Sequence, residues 1–223
     1  MPTFYDVLRR DAEPIWEKIN HHPFIVEMAE VRLPLEKFRF YLKQDHIFLT
    51  EFSRFLAMAT AKSKKVEQMT WLSHLLNATL TGEMQMQKKV TKSLGMIERD
   101  LLSSEPAPTT RAYASYLLGV ASTGSIGEIL ASMSPCPCSY LEIAEKVLSR
   151  NESEMHPAFK EWCSFYASEE SKKMVGRLVD FLNEVAEENS AEDRELMREH
   201  FLVASRYEYL FWDMAYKMES WPI

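Results

Sequence analysis

The stretch SPCPCSYLEI, residues 134–143, holds two of the chain's three cysteines: Cys136 between two prolines, and Cys138 just after the second. A thiol at the start of a helix is a candidate nucleophile, because the N-terminal field favours the thiolate. Pro137 suits a first helical position. That places Cys136 at or near an N-cap, with Tyr140 one turn on along the same face. The plainer alternative is a small buried thiol. The C-x-C spacing is not the C-x-x-C of redox motifs. A structural zinc site needs four ligands, and Cys163 and the scattered histidines supply no second half-site. No histidine stands three residues after a glutamate, so the motif of di-iron bundles is missing. His22, His46 and His74 fall in no catalytic context. The sequence therefore asks for no metal and no organic cofactor.

Two carboxylates stand where apolar core is expected. Asp45 shares a helical face with Tyr41, Phe48 and Phe52. Glu208 has Ala204, Ser205, Phe211 and Trp212 as its neighbours three and four residues away. A buried carboxylate costs several kcal/mol unless it is partnered or its pKa shifts. Each acid could be a structural one satisfied by an Arg or Tyr. Two of them on separate helices also suit a shared dry pocket, where burial tunes carboxyl groups for proton transfer. Asp213 lies off the Glu208 stripe and reads as a surface or structural charge. Trp162 and Tyr166 share a face, as do Tyr113 and Tyr116. Such stripes are usually core, but they could also stack on a flat heteroaromatic ligand and offer it hydroxyls.

The elements that must position these groups are helical almost throughout. Periodic apolar positions mark helices over 35–60, a long one from about 77 to 95 ending at Gly95, then 109–123, 137–150, a stripe from 157 to 187, and a last helix capped by Ser190 with Asp193 in its first turn. No alternating strand pattern, repeat or hinge-like linker interrupts them. The expectation is an all-α, single-domain bundle of eight to ten helices over residues 1–223. Only 6 of 223 residues are glycine, which fits helices better than a turn-rich β fold. The formal net charge of −7, with no long basic run, argues against a nucleic-acid partner. The charged N-terminal segment is no signal peptide, and no apolar run is long enough to cross a bilayer. Three cysteines form no disulfide framework, so free thiols in the cytoplasm are expected.

In order and over most of the chain, the segments 22–63, RAYASYLLGVA (111–121), GEILASMSPCPCSYLEIA (127–144), WCSFYASEESKKMV (162–175) and SRYEYLFWDMA (205–215) resemble the TenA, or thiaminase II, family. The resemblance implies a haem-oxygenase-like helical fold and a homotetramer. It also implies hydrolysis of an aminopyrimidine, or of thiamin, to hydroxymethylpyrimidine in thiamin salvage. It would make Cys136 the nucleophile that adds to the pyrimidine ring. Asp45 would bind the ring nitrogen and exocyclic amine, and Glu208 would protonate the departing amine and then activate water. Tyr140, Tyr166, Tyr113, Phe48 and Phe211 would line the pocket. The chain departs from the family pattern at Phe48, where many members carry tyrosine, at Cys138, often tryptophan, and at Val31, usually glycine. The change at Cys138 is expected to reshape the pocket wall. A non-catalytic pyrimidine-binding or regulatory protein on the same scaffold is the alternative, although such a binder needs no Cys136–Glu208 pair.

Overall fold

The computed structural model describes residues 2–151 and 153–223. Among them are thirteen α-helices and one π-helical turn, and no strand. They are α1 (Phe4–Asp11), α2 (Glu13–Asn20), α3 (Pro23–Ala29), α4 (Leu35–Lys62) and α5 (Val66–Ala78). The π turn (Thr79–Glu83) leads into α6 (Met84–Ser93), followed by α7 (Glu98–Leu102), α8 (Pro108–Thr123), α9 (Ile126–Met133) and α10 (Pro135–Asn151). Last come α11 (Pro157–Tyr166), α12 (Glu169–Glu188) and α13 (Ala191–Lys217). The all-α expectation holds. The helix count is higher because several connections are short helices that sequence periodicity does not resolve.

The two long helices, α4 and α13, form the frame. α4 packs on α5, α8 and α13, and α13 packs on α2, α4, α8, α9 and α10. Their shared core is rich in rings: Trp16, Trp162, Trp212, Tyr41, Tyr113 and Phe38 are all fully buried. α9 comes close to α13 because residue 127 is glycine. A Cβ there would lie 2.9 Å from Met197 Sδ.

Local rules account for most helix ends. Ser190 caps α13 in a capping box with Asp193, as expected. Gly95 adopts φ 72° just past α6, and the N–H groups of Gly95 and Met96 close back on Lys92 and Thr91. Val31 fills the same role after α3 at φ 56°, a left-handed conformation that a β-branched residue adopts only under strain.

Three expected boundaries shift. The helix thought to begin near 77 starts at Val66 and runs through the π turn to Ser93. The stripe from 157 to 187 is two helices, broken at Ala167 and restarted by the side chain of Ser168, which caps α12. α10 begins at Pro135 rather than Pro137, because Ser134 stays in the right-handed region (φ −60°, ψ −37°) and carries α9 almost directly into α10.

Candidate active site

Six helices and the π turn send polar groups to one place. α4 supplies Asp45, the π turn Glu83, α6 Gln87 and α8 Tyr113. α10 supplies Cys136 and Tyr140, α11 Tyr166, and α13 Glu208. Asp45 and Glu208 are each 2% exposed, so both sequence-derived acids do face the interior. The charges of Asp45, Glu83 and Glu208 all act on the Cys136 thiol, which places the four groups in one cluster.

Each acid has a particular partner. The Tyr113 hydroxyl donates to Glu208 Oε1 at 2.7 Å. Burial drives the Glu208 carboxyl up to about 7, against the lowering effect of Tyr113 and the Cys136 thiol. Gln87 Nε2 donates to Asp45 Oδ2 at 2.5 Å. The Gln87 carbonyl oxygen in turn meets His46 Nδ1 at 3.2 Å. Asp45 is therefore satisfied by the Gln87 amide together with the Tyr41 hydroxyl, one of the two partner types the sequence suggested. His46, which had no visible role, orients that amide. Burial first, then the Glu83 charge, pushes the Asp45 carboxyl well above the ordinary carboxylate range.

The sequence reading expected the helix start to lower the thiol pKa of Cys136. The structure reverses this: burial pushes the thiol well up, and Glu208, Glu83 and Asp45 add to the shift. Two features weaken the helix-end field. The thiol is on the second residue of α10, and prolines occupy the first and third positions, so two of the three leading N–H groups are missing. The resting group is a thiol.

A cavity of ≈ 470 Å³ opens beside this cluster. Cys136, Tyr140, Tyr166 and Glu83 line it, as do Phe52 and, further out, His74. His74 too gains a place that its sequence context did not suggest. Asp45, Tyr113, Phe48, Phe211 and Glu208 do not line it. They form a closed layer behind, with the Phe48 ring 4.9 Å from that of Tyr113 and 5.5 Å from that of Phe211. Tyr140 packs on Tyr166 at 5.0 Å, and Trp162 on Tyr166 at 4.7 Å. A polar thread runs behind these rings: Trp162 Nε1 donates to the Tyr41 hydroxyl at 3.1 Å, which reaches that of Tyr140 at 3.4 Å. Tyr116 turns away to His200. Asp213 pairs with Lys217 and approaches His22, so it is structural as expected.

Two departures from the family pattern acquire a location. Phe48 packs against the rings of Phe52, Tyr113 and Phe211. Cys138 is absent from the cavity wall and interacts with Tyr5 of α1. The expected reshaping of the pocket at Cys138 is therefore not found. Residues two apart on a helix point to different sides. The main group missed by sequence reasoning is Glu83. The Tyr166 hydroxyl donates to its Oε1 at 2.5 Å, and burial pushes its carboxyl up to about 7.

Among the described residues no set of three or more His, Cys, Asp and Glu is arranged to hold a metal. No described helix is long and apolar enough to cross a membrane.

The chain as a whole is similar to known proteins. A curated aminopyrimidine aminohydrolase of Halalkalibacterium halodurans is 38% identical over 219 residues, covering 98% of each chain. A solved TenA homologue from Pyrococcus horikoshii superposes with a TM-score of 0.90 at 34% identity, covering 97% of this chain and 99% of the other. A Shewanella denitrificans domain described as having a haem oxygenase-like fold matches at TM-score 0.79 and 18% identity, over 95% and 91% of the two chains, which bears on the fold alone. The family model described as TENA/THI-4/PQQC matches residues 9–218, and the chain belongs to that family.

Proposed function

We propose that this protein is a cysteine-dependent hydrolase that cleaves an aminopyrimidine, or thiamin, to hydroxymethylpyrimidine in thiamin salvage. The observation that carries the reading is the convergence of Cys136, Glu208 and Asp45, from three distant segments, beside a cavity of ≈ 470 Å³. The name of the H. halodurans relative supports the same chemistry.

The electrostatics suit each role. The Asp45 carboxyl, pushed upward by burial, offers one O–H donor and one carbonyl acceptor side by side whenever it holds its proton. A 4-aminopyrimidine edge presents the complementary pair, a ring nitrogen and an exocyclic N–H. Glu208, with a carboxyl near 7, can both take and give a proton at neutral pH. As the Cys136 sulfur bonds to a ring carbon, the displaced π electrons move onto a ring nitrogen and the thiol proton passes to Glu208. Those electrons return to expel the leaving group: the bond from the ring's methylene carbon to nitrogen breaks with its pair on nitrogen, and Glu208 gives its proton to the released amine or, where a neutral thiazole leaves, to solvent. Water adds to the exposed carbon and its proton goes to Glu208. The C–S bond finally breaks, and Glu208 reprotonates the sulfur. Each turnover consumes one water and leaves every group as it began. Because the resting thiol is protonated, thiolate forms only where Glu208 can accept its proton, which limits side reactions of the cysteine. Phe48, Tyr113 and Phe211 would part to admit the ring, with Tyr140 and Tyr166 forming its outer wall.

A homotetrameric, cytoplasmic enzyme is part of the proposal. Light scattering should give four times the 26.0 kDa chain mass. The direct test of the function is product analysis after separate incubation with thiamin and with a 5-aminomethyl-pyrimidine. Hydroxymethylpyrimidine should appear from at least one, and its absence from both would refute the reading.

A further inference from the structure

Glu83 is the acid that the mechanism above leaves unused, yet it faces the cavity directly, whereas Asp45 and Glu208 lie behind the wall. It sits at the end of the π turn, where the helix running from α5 into α6 departs from regular α geometry. Such turns are rare and concentrate at functional sites. Its carboxylate accepts from Tyr166, and among the described residues it has no Lys or Arg partner. The cavity wall has the same bias: Glu83, Glu170 and His74 line it, without a Lys or Arg. A half-buried carboxylate with one hydroxyl partner, facing a space whose wall holds no Lys or Arg, is complementary to a cation.

Resting on the aminopyrimidine reading, we propose that Glu83 binds the positively charged departing group of the substrate, with Tyr166 steering the carboxylate, so that the site selects substrates whose leaving group is a cation. The two candidate substrates share that chemistry. An aminomethyl group carries an ammonium in neutral water, and thiamin carries a thiazolium. With the pyrimidine held by Asp45 and attacked by Cys136, the substituent projects into the open cavity, where Glu83 lies. Glu208, engaged by Tyr113 and the thiol, keeps its role in proton transfer. The cationic group stays paired with Glu83 while the ring is being positioned, and the pairing lapses when a neutral amine or thiazole departs.

Two ligands with the same ring separate this role from a structural one: the 5-aminomethyl-pyrimidine, a cation, and the 5-hydroxymethyl-pyrimidine, neutral and nearly the same size. Their dissociation constants are measured by calorimetry in Cys136→Ser protein, which blocks turnover, with and without Glu83→Gln. The exchange keeps the side chain's size and an acceptor for Tyr166. Losing a charged hydrogen bond should weaken the aminomethyl ligand on the order of 10- to 100-fold, and the hydroxymethyl ligand by less than about threefold. Glu83→Asp should recover part of the preference for the cation. Equal weakening of both ligands, or no weakening of either, would overturn the proposal. If neither ligand binds the Cys136→Ser parent, the pyrimidine reading itself falls, and this one with it.

Discussion

Replacing Glu208 by glutamine should abolish activity and, at alkaline pH, make the protein more stable. The side chain is 2% exposed, and its carboxyl rises from 4.5 in the unfolded chain to about 7 in the fold. Below pH 4.5 both states hold the proton and the shift costs nothing. Between 4.5 and 7 the unfolded chain releases its proton while the folded chain keeps it, so stability falls as pH rises. Above 7 both are ionised and the full penalty stands. At about 1.4 kcal/mol per pKa unit the penalty reaches roughly 3 kcal/mol, of which about 2.5 kcal/mol develops between pH 5 and pH 8. Glutamine carries no such charge, and its carbonyl can still accept from Tyr113. The assay is urea unfolding of wild type and Glu208→Gln at both pH values. The variant should gain roughly 2 to 3 kcal/mol more at pH 8 than at pH 5. In thermal melts that is a further gain of about 4–12 °C, given 2–4 °C per kcal/mol for a chain of this size. An equal effect at the two pH values, or a variant less stable than wild type at pH 8, would refute the claim that burial strains this carboxylate.

Tyr113→Phe removes the hydroxyl that helps hold the Glu208 carboxyl down, so the acid limb of the kcat/KM profile should move to higher pH; an unmoved limb would count against the contact. Gln87→Leu deletes the donor to Asp45 and should weaken binding of hydroxymethylpyrimidine, measured by calorimetry, by about 1–3 kcal/mol. Val31→Gly relieves a left-handed β-branched residue after α3. The relief of about 1–2 kcal/mol, less the backbone entropy of glycine, should leave a net gain of roughly 0.5–1 kcal/mol in urea unfolding with activity unchanged.

Asp45 and Glu208 were legible in the sequence because a charge stands out against an aromatic stripe, and the α-helical period holds across both α4 and α13. Cys136 was legible from its prolines, but its helical position was not. Pro135 and Pro137 are equally good first residues, and only the backbone of Ser134 decides between them. The wrong sign for the thiol has a different source: a sequence shows a helix end but not the burial, nor the three acids, that raise the thiol. Glu83 was hidden because the π turn breaks the 3.6-residue period over Thr79–Glu83, in a stretch already polar and holding a glycine. His46 reaches the site only through Gln87, a contact between helices 41 residues apart in sequence. Cys138 shows the converse: beside Cys136 in sequence, it belongs to the packing of α1.

The central claim is that the Cys136 sulfur carries the reaction rather than merely lining the pocket. Turnover of the 5-aminomethyl-pyrimidine by Cys136→Ser protein, measured alongside calorimetric binding of the hydroxymethyl product, tests it most directly. Product formation should fall to background while the ring still binds. Hydrolysis by the variant at a rate near that of wild type would contradict the account.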